Sequence, residues 1–195
     1  MGTGRLIGNA VTECLVFGAL AGSSAANYAK SALPADPDES QVETYYERIH
    51  GPLTRKDGFD VSEMRKKIQD ISFKSVGPVR DESALTACLE EVKRMKKEAP
   101  NLATKAKAKV YNREWITALE NEALLKVMEI MASASLLRKE SRGSMYRRDY
   151  SETDNKGWLK NIIATNKNGQ VNLEAKPVVT TVINLPRREK VPFVT

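Results

Sequence analysis

The chain has 195 residues, of which 41% are hydrophobic and 29% charged, a balance that fits a folded globular protein and excludes a disordered one. That length allows one sizeable core or two small domains. Lys and Arg number 31 against 25 Asp and Glu, and the resulting formal charge of +6 permits an anionic partner without requiring one.

The opening Gly2-Thr3-Gly4-Arg5-Leu6-Ile7-Gly8 has the glycine spacing of a dinucleotide loop. A Rossmann fingerprint needs a strand before its first glycine, and only Met1 stands there. Residues 9–32 predict a helix, with the Asn9 side chain able to accept from the free N–H groups of its first turn. The run after Arg5 is apolar or small enough to imitate a signal peptide. Asn9 and Glu13 interrupt it, and a carboxylate is costly in a bilayer, so no direct membrane insertion is expected. Gly18, Ala19, Ala21, Gly22, Ser23 and Ala25 instead predict a soluble helix buried closely against another backbone. The N-terminus of that helix would favour an anionic ligand atom, because unpaired N–H groups and the helix dipole point there.

Two prolines and an acidic cluster, Leu33-Pro34-Ala35-Asp36-Pro37-Asp38-Glu39-Ser40, read as a linker. Val42, Tyr45, Tyr46 and Ile49 then have helical spacing over residues 40–49, and His50-Gly51-Pro52 should stop that short helix. Gly58 marks a further loop. Val61, Met64, Ile68, Ile71, Phe73 and Val76 predict a helix capped by Asp60 and closed by Gly77-Pro78. Asp81 or Ser83 opens the next, which presents Leu85, Cys88, Leu89, Val92 and Met95 on one face and ends before Pro100.

A longer helix over residues 113–139 takes Trp115, Leu119, Ala123, Leu124, Val127, Ile130, Met131, Ala134 and Leu137 as its buried stripe. Three amphipathic helices joined by short loops make a bundle, so the expected class is mainly α: a three-helix bundle preceded by one helix and followed by a loop-rich segment with short β-strands. Lys93, Arg94, Lys96, Lys97, Lys105, Lys107 and Lys109 read as a solvated face, and no nucleic acid is expected.

Beyond Gly143 the pattern changes. The alternation of Arg147, Arg148, Asp149 and Asp154 exceeds what a helix cap requires and suggests an ion-pair network fixing a long loop. Residues 158–163 and 171–173 read as extended pieces around an Asn168-Gly169 turn, and residues 178–183 as the strongest strand. Cys14 and Cys88 have no metal-binding spacing and His50 is the sole histidine; buried reduced thiols and a surface imidazole are expected, with a cytoplasmic location.

Three separated stretches, in order, resemble the succinate dehydrogenase/fumarate reductase flavoprotein family. They are the run from Gly2 to Gly18, residues 61–80 with their Ser-Val-Gly-Pro-Val-Arg ending, and Arg138-Lys139-Glu140-Ser141-Arg142-Gly143 followed by Arg147, Asp149-Tyr150, Asp154 and Trp158-Leu159-Lys160. Met145 and Ser151 stand where many members have histidine and proline. The resemblance implies FAD as cofactor and a dicarboxylate as substrate, with aspartate oxidase and adenylylsulfate reductase among the relatives. It matches Arg5 to the arginine that binds a substrate carboxylate, and Asn9, Ala10 and Val11 to positions that meet the flavin. It divides the chain into a flavin-domain remnant (1–33), a linker with a short helix (34–59), the bundle (60–143) and a C-terminal loop and hairpin segment (144–195). No catalytic set is complete, no metal is implied, and the expected partners are the remainder of the flavoprotein and an iron-sulfur subunit, at the inner face of the membrane. The alternative is a non-enzymatic helical interaction module derived from such a protein.

Overall fold

The structure, a computed structural model, describes residues 9–33, 36–180 and 190–192. Its elements run α1 (Asn9–Ser31), α2 (Glu39–Thr54), β1 (Phe59–Asp60), α3 (Val61–Ser75), β2 (Val79–Arg80), α4 (Glu82–Glu98), β3 (Leu102–Ala103), α5 (Arg113–Leu137), β4 (Tyr146–Arg147), β5 (Glu152–Asp154), β6 (Lys160–Lys167), β7 (Gln170–Pro177) and β8 (Lys190–Pro192). A single 3-10 turn, Ala99–Asn101, separates α4 from β3. The chain is mainly α, as its sequence predicts, and it falls into two compact units that divide between Tyr45 and Tyr46.

In the first unit α1 forms over the predicted span, but it is not buried. Val11 is 65% exposed, Leu15 70% and Phe17 64%, and Val16 and Leu20 are exposed with them. Cys14 is exposed too, against the expectation of a buried thiol. The small-residue pattern describes a helix that can be closely approached; nothing within 4 Å would meet a Cβ added at Gly18 or Gly22.

The second unit holds the bundle. α3 begins where Asp60 accepts from Ser62 N and Glu63 N at 2.8 and 3.0 Å, and α4 where Asp81 accepts from Ala84 N at 2.9 Å. α5 is capped by Asn112, which accepts from Trp115 N at 3.0 Å. Val61, Met64 and Ile68 of α3 meet Leu85, Cys88, Val92 and Met95 of α4 and Ala118, Leu125, Met128 and Ala132 of α5 in one core. Phe73 is 87% exposed, so only part of the α3 stripe is used.

Two expectations are corrected by tertiary contacts. α2 does not stop at His50; it continues through Pro52, whose carbonyl accepts from Thr104 N at 2.9 Å and Thr104 Oγ1 at 3.1 Å. The proline sits in the last turn, where burial of Pro52 and Leu53 and these bonds outweigh the lost N–H. The stripe assigned to α5 is also the wrong face. α5 buries Ala118, Asn121, Leu125, Met128, Ala132 and Ser135, and leaves Val127, Met131 and Leu137 exposed. This helix is apolar on two sides, so periodicity alone favoured the side without polar interruptions. The true buried side includes Asn121, whose Nδ2 donates to Val61 O at 3.0 Å while its Oδ1 accepts from Arg65 Nε at 2.6 Å.

The short strands are connectors. β1 pairs in parallel with β3, and β2 in parallel with β4. A Cβ at Gly58 would meet the Ala103 side chain at 2.9 Å and clash with the Asn101 carbonyl, so glycine permits the β1–β3 approach. β6 and β7 form the predicted hairpin, with Asn168 and Gly169 at φ 52° and 81° as a two-residue turn with both central φ positive requires. The strand expected at 178–183 is not formed over its described part. β7 ends at Pro177, opposite the first residue of β6; Val178 N still donates to Leu159 O at 3.2 Å, but Val178 to Thr180 meet no further strand among the described residues. Residues 181–183 lie outside the described residues. β5 pairs instead with β8 in antiparallel register.

Candidate functional site

Two places carry chemistry, and each belongs to one unit. The first is the start of α1. Asn9 opens the helix and Ala10 and Val11 follow in its first turn, with no acidic residue in that turn to offset the positive end of the dipole. Ala10 is half-buried and Val11 exposed. Arg5 lies outside the described residues. The helix start therefore brings together Asn9, Ala10 and Val11 as consecutive backbone positions, and the structure does not describe the guanidinium that the sequence places before them.

The second place is the segment after α5. Glu140 is fully buried, and its carboxylate is satisfied from four directions. Arg142 forks onto it, Nε to Oε1 at 2.7 Å and Nη2 to Oε2 at 3.0 Å. Arg138 Nη1 donates to Oε1 as well, and Asp154 N donates to Oε2 at 2.8 Å. The two arginines are themselves held. Arg138 reaches Trp158 O at 3.1 Å and Lys160 O at 2.6 Å and lies over the Trp158 ring, while Arg142 reaches Asn155 Oδ1 at 2.8 Å. A buried carboxylate is tolerable here because every lone pair has a donor.

Arg147, 1% exposed, performs a second task. Its Nε and Nη2 hold Asp149 in a bidentate pair at 2.8 and 2.6 Å. Its Nη1 donates to Ser135 O, an orphan carbonyl of the last turn of α5, and to Arg138 O at 3.1 Å. Asp149 in turn accepts from Glu82 N at 3.0 Å, at the start of α4. One ion pair thus places its cation on the negative end of α5 and its anion on the positive end of α4. The Arg147 guanidinium holds the Asp149 carboxyl below its usual range, and Asp149 raises Arg147 in return. Ser141 closes the loop by donating to Tyr150 O at 2.8 Å and accepting from Arg147 N at 2.8 Å.

The ion-pair network expected from the Arg/Asp alternation is therefore real, and it joins β4, β5, α4 and α5. Arg80 completes it in a way spacing could not foretell. Its Nε donates to Gly77 O at 2.6 Å and its Nη1 to Ser135 Oγ at 2.5 Å. Burial, then the Arg147 charge, pushes the Arg80 guanidinium down. The β2–β4 register, which sets Arg80 opposite Arg147, is what brings them together. His50 has no catalytic company: it stacks on Tyr46 at 4.0 Å and lies 5.7 Å from Trp115. Among the described residues no group of acidic, His or Cys side chains could hold a metal ion, and no helix is long and apolar enough to cross a membrane.

Comparison with known proteins converges on one family. A family profile described as fumarate reductase flavoprotein C-term matches residues 65–191. The fumarate reductase flavoprotein subunit of Haemophilus influenzae is 27% identical over 183 residues, covering 92% of this chain and 31% of that protein. Among solved structures, the Sdh1 complex of Mycobacterium smegmatis matches with a TM-score of 0.76 at 28% identity, covering 94% of this chain and 31% of that one. The quinol fumarate reductase of E. coli matches with a TM-score of 0.78 at 25% identity, covering 90% and 31%. The chain thus spans about a third of the length of the relatives it matches.

Proposed function

This chain belongs to the fumarate reductase flavoprotein C-terminal family, and from that membership we propose that it is the C-terminal part of an FAD-dependent oxidoreductase acting between succinate and fumarate. The match over residues 65–191 carries the reading. The exposed apolar face of α1 supports it, since burial of such a face against further polypeptide is strongly favourable at about 25 cal/mol per Å² of apolar area.

The start of α1 fits one edge of a flavin. Its first turn offers backbone N–H groups, small or short side chains and no competing carboxylate. When bound, FAD supplies the site that exchanges hydride with the dicarboxylate. Asn9, Ala10 and Val11 would hold its pyrimidine side through those N–H groups, favouring negative charge there. Arg5, one turn earlier in the sequence, would fork onto a substrate carboxylate with two parallel hydrogen bonds. Residues 1–33 belong on this reading to the flavin domain, 34–59 to a linker, and 60–143 with 144–195 to a buttress that offers a surface to partner subunits. An iron-sulfur subunit is the expected partner, at the inner face of a membrane; the M. smegmatis structure is of a complex.

The chain alone lacks a phosphate-binding glycine loop with a preceding strand among its described residues, so it should neither retain FAD nor turn over. Purified chain is incubated with FAD, desalted, and assayed for bound flavin and for fumarate reduction by a reduced dye. Neither should rise above background. Stoichiometric flavin with turnover would overturn the reading of this chain as one part of a catalytic whole.

A further inference from the structure

The second unit contains an open cavity of about 390 Å³ whose lining includes Arg80, Arg138 and Arg142 together with Met131, Met145 and Ile162. That volume falls within the range of about 300–1,000 Å³ usual for ligand pockets. Its charges do not balance. Arg138 and Arg142 share the single carboxylate of Glu140. Arg80 donates only to a carbonyl and a hydroxyl, and among the described residues no carboxylate forms an ion pair with it. Three guanidiniums against one carboxylate leave an excess of two positive charges at a half-buried wall. Arg147, already neutralised by Asp149, relieves none of it.

The apolar lining adjoins a surface that stays exposed among the described residues. Met131 belongs to the exposed side of α5, with Val127 one turn before it and Leu137 nearly two turns after. A free phosphate or sulfate would satisfy the guanidiniums and leave the methionine and isoleucine wall wet. A carboxylate flanked by apolar side chains covers both, because planar guanidinium and carboxylate forks match while the neighbours bury the hydrocarbon.

We infer that this cavity is the docking site for a protein segment that presents an Asp or Glu carboxylate to Arg80, next to apolar side chains that lie along Met131 and Ile162. The inference does not depend on the flavin reading; it needs only the second unit, which contains every residue involved.

The test uses the full chain labelled with 13C at methionine methyls and isoleucine δ1 methyls. The probe is an acetylated, amidated hexapeptide of sequence Ala-Leu-Glu-Met-Leu-Ala, compared with its twin carrying glutamine for glutamate. The glutamate peptide should shift the Met131, Met145 and Ile162 methyls, with the twin binding at least tenfold more weakly. Arg80→Gln should bring that ratio below threefold. If the variant does not fold, the two peptides on the native chain decide the matter without it. No binding, equal binding of the two peptides, or shifts at other methyls would overturn the inference. So would saturation of the same methyls by acetate or phosphate at matched ionic strength with the peptide's affinity, which would mean a free-anion site. Shifts of these methyls with chain concentration alone would overturn it in favour of a second copy of the chain.

Discussion

The segment after α5 and the helix α1 solve opposite problems. The first buries a carboxylate completely and surrounds it with donors from its own neighbourhood, so that the Glu140 oxygens need no donor from outside. The second displays Leu15, Val16, Phe17 and Leu20 to solvent and finds no cover among the described residues of its own unit. A buried carboxylate satisfied from within its own unit and an apolar helix left uncovered among the described residues mark the difference between the two units.

The sharpest way to break that contrast is to remove the buried anion. Glu140→Ala leaves two guanidiniums without their counter-charge, and loss of one partner of a buried pair costs about 3–5 kcal/mol. Urea unfolding followed by circular dichroism should show it; a change under 1 kcal/mol would mean the network is solvated in solution. Arg147→Lys keeps a charge but loses the fork to Asp149 and the reach to Ser135 O, and should cost about 2 kcal/mol. Gly58→Ala forces β1 away from β3 and should cost about 1–3 kcal/mol, as overpacking does. On the other side of the comparison, Leu15→Ser with Phe17→Ser should change unfolding of the second unit by no more than about 0.5 kcal/mol while reducing self-association by light scattering.

Acid provides a graded version of the same test. The Asp149 carboxyl is held below the usual carboxylate range by Arg147 and by the Glu82 N–H. The unfolded chain therefore binds more protons in that window, and stability is present above about pH 4 and lost as pH falls through the depressed folded value. Asp149→Asn should flatten the dependence of the urea midpoint on pH below about 4, relative to the native chain.

Much of this could be read before the fold was seen. The caps Asp60, Asp81 and Asn112 act through neighbours two or three residues away, so the α3 and α4 boundaries were legible from local chemistry, and the Asn168-Gly169 hairpin turn likewise. The wrong face of α5 was not a local question. Asn121 and Ser135 are buried because Val61 O, Arg65 and Arg80 come to them from distant parts of the chain, and no periodicity reports that. The continuation of α2 through Pro52 is hidden for the same reason, since the Pro52 carbonyl is held by Thr104. The ion-pair loop was visible as a pattern, but the role of Arg147 as a tether between two helix ends depends on the β2–β4 pairing. Of the proposed flavin site, Asn9 to Val11 take up the helix start that the sequence implies, and the substrate role of Arg5 rests on resemblance.

Removing the Arg5 guanidinium tests that role most directly. In the proposed full-length flavoprotein, Arg5→Ala removes a bidentate, charge-assisted contact worth about 3 kcal/mol or more in a dry site, and dicarboxylate turnover should fall at least about 100-fold. Bound flavin absorbance and the unfolding midpoint should stay as in the native protein. A mutant that keeps its flavin and its normal rate of fumarate reduction would contradict the claim that α1 begins at a dicarboxylate site.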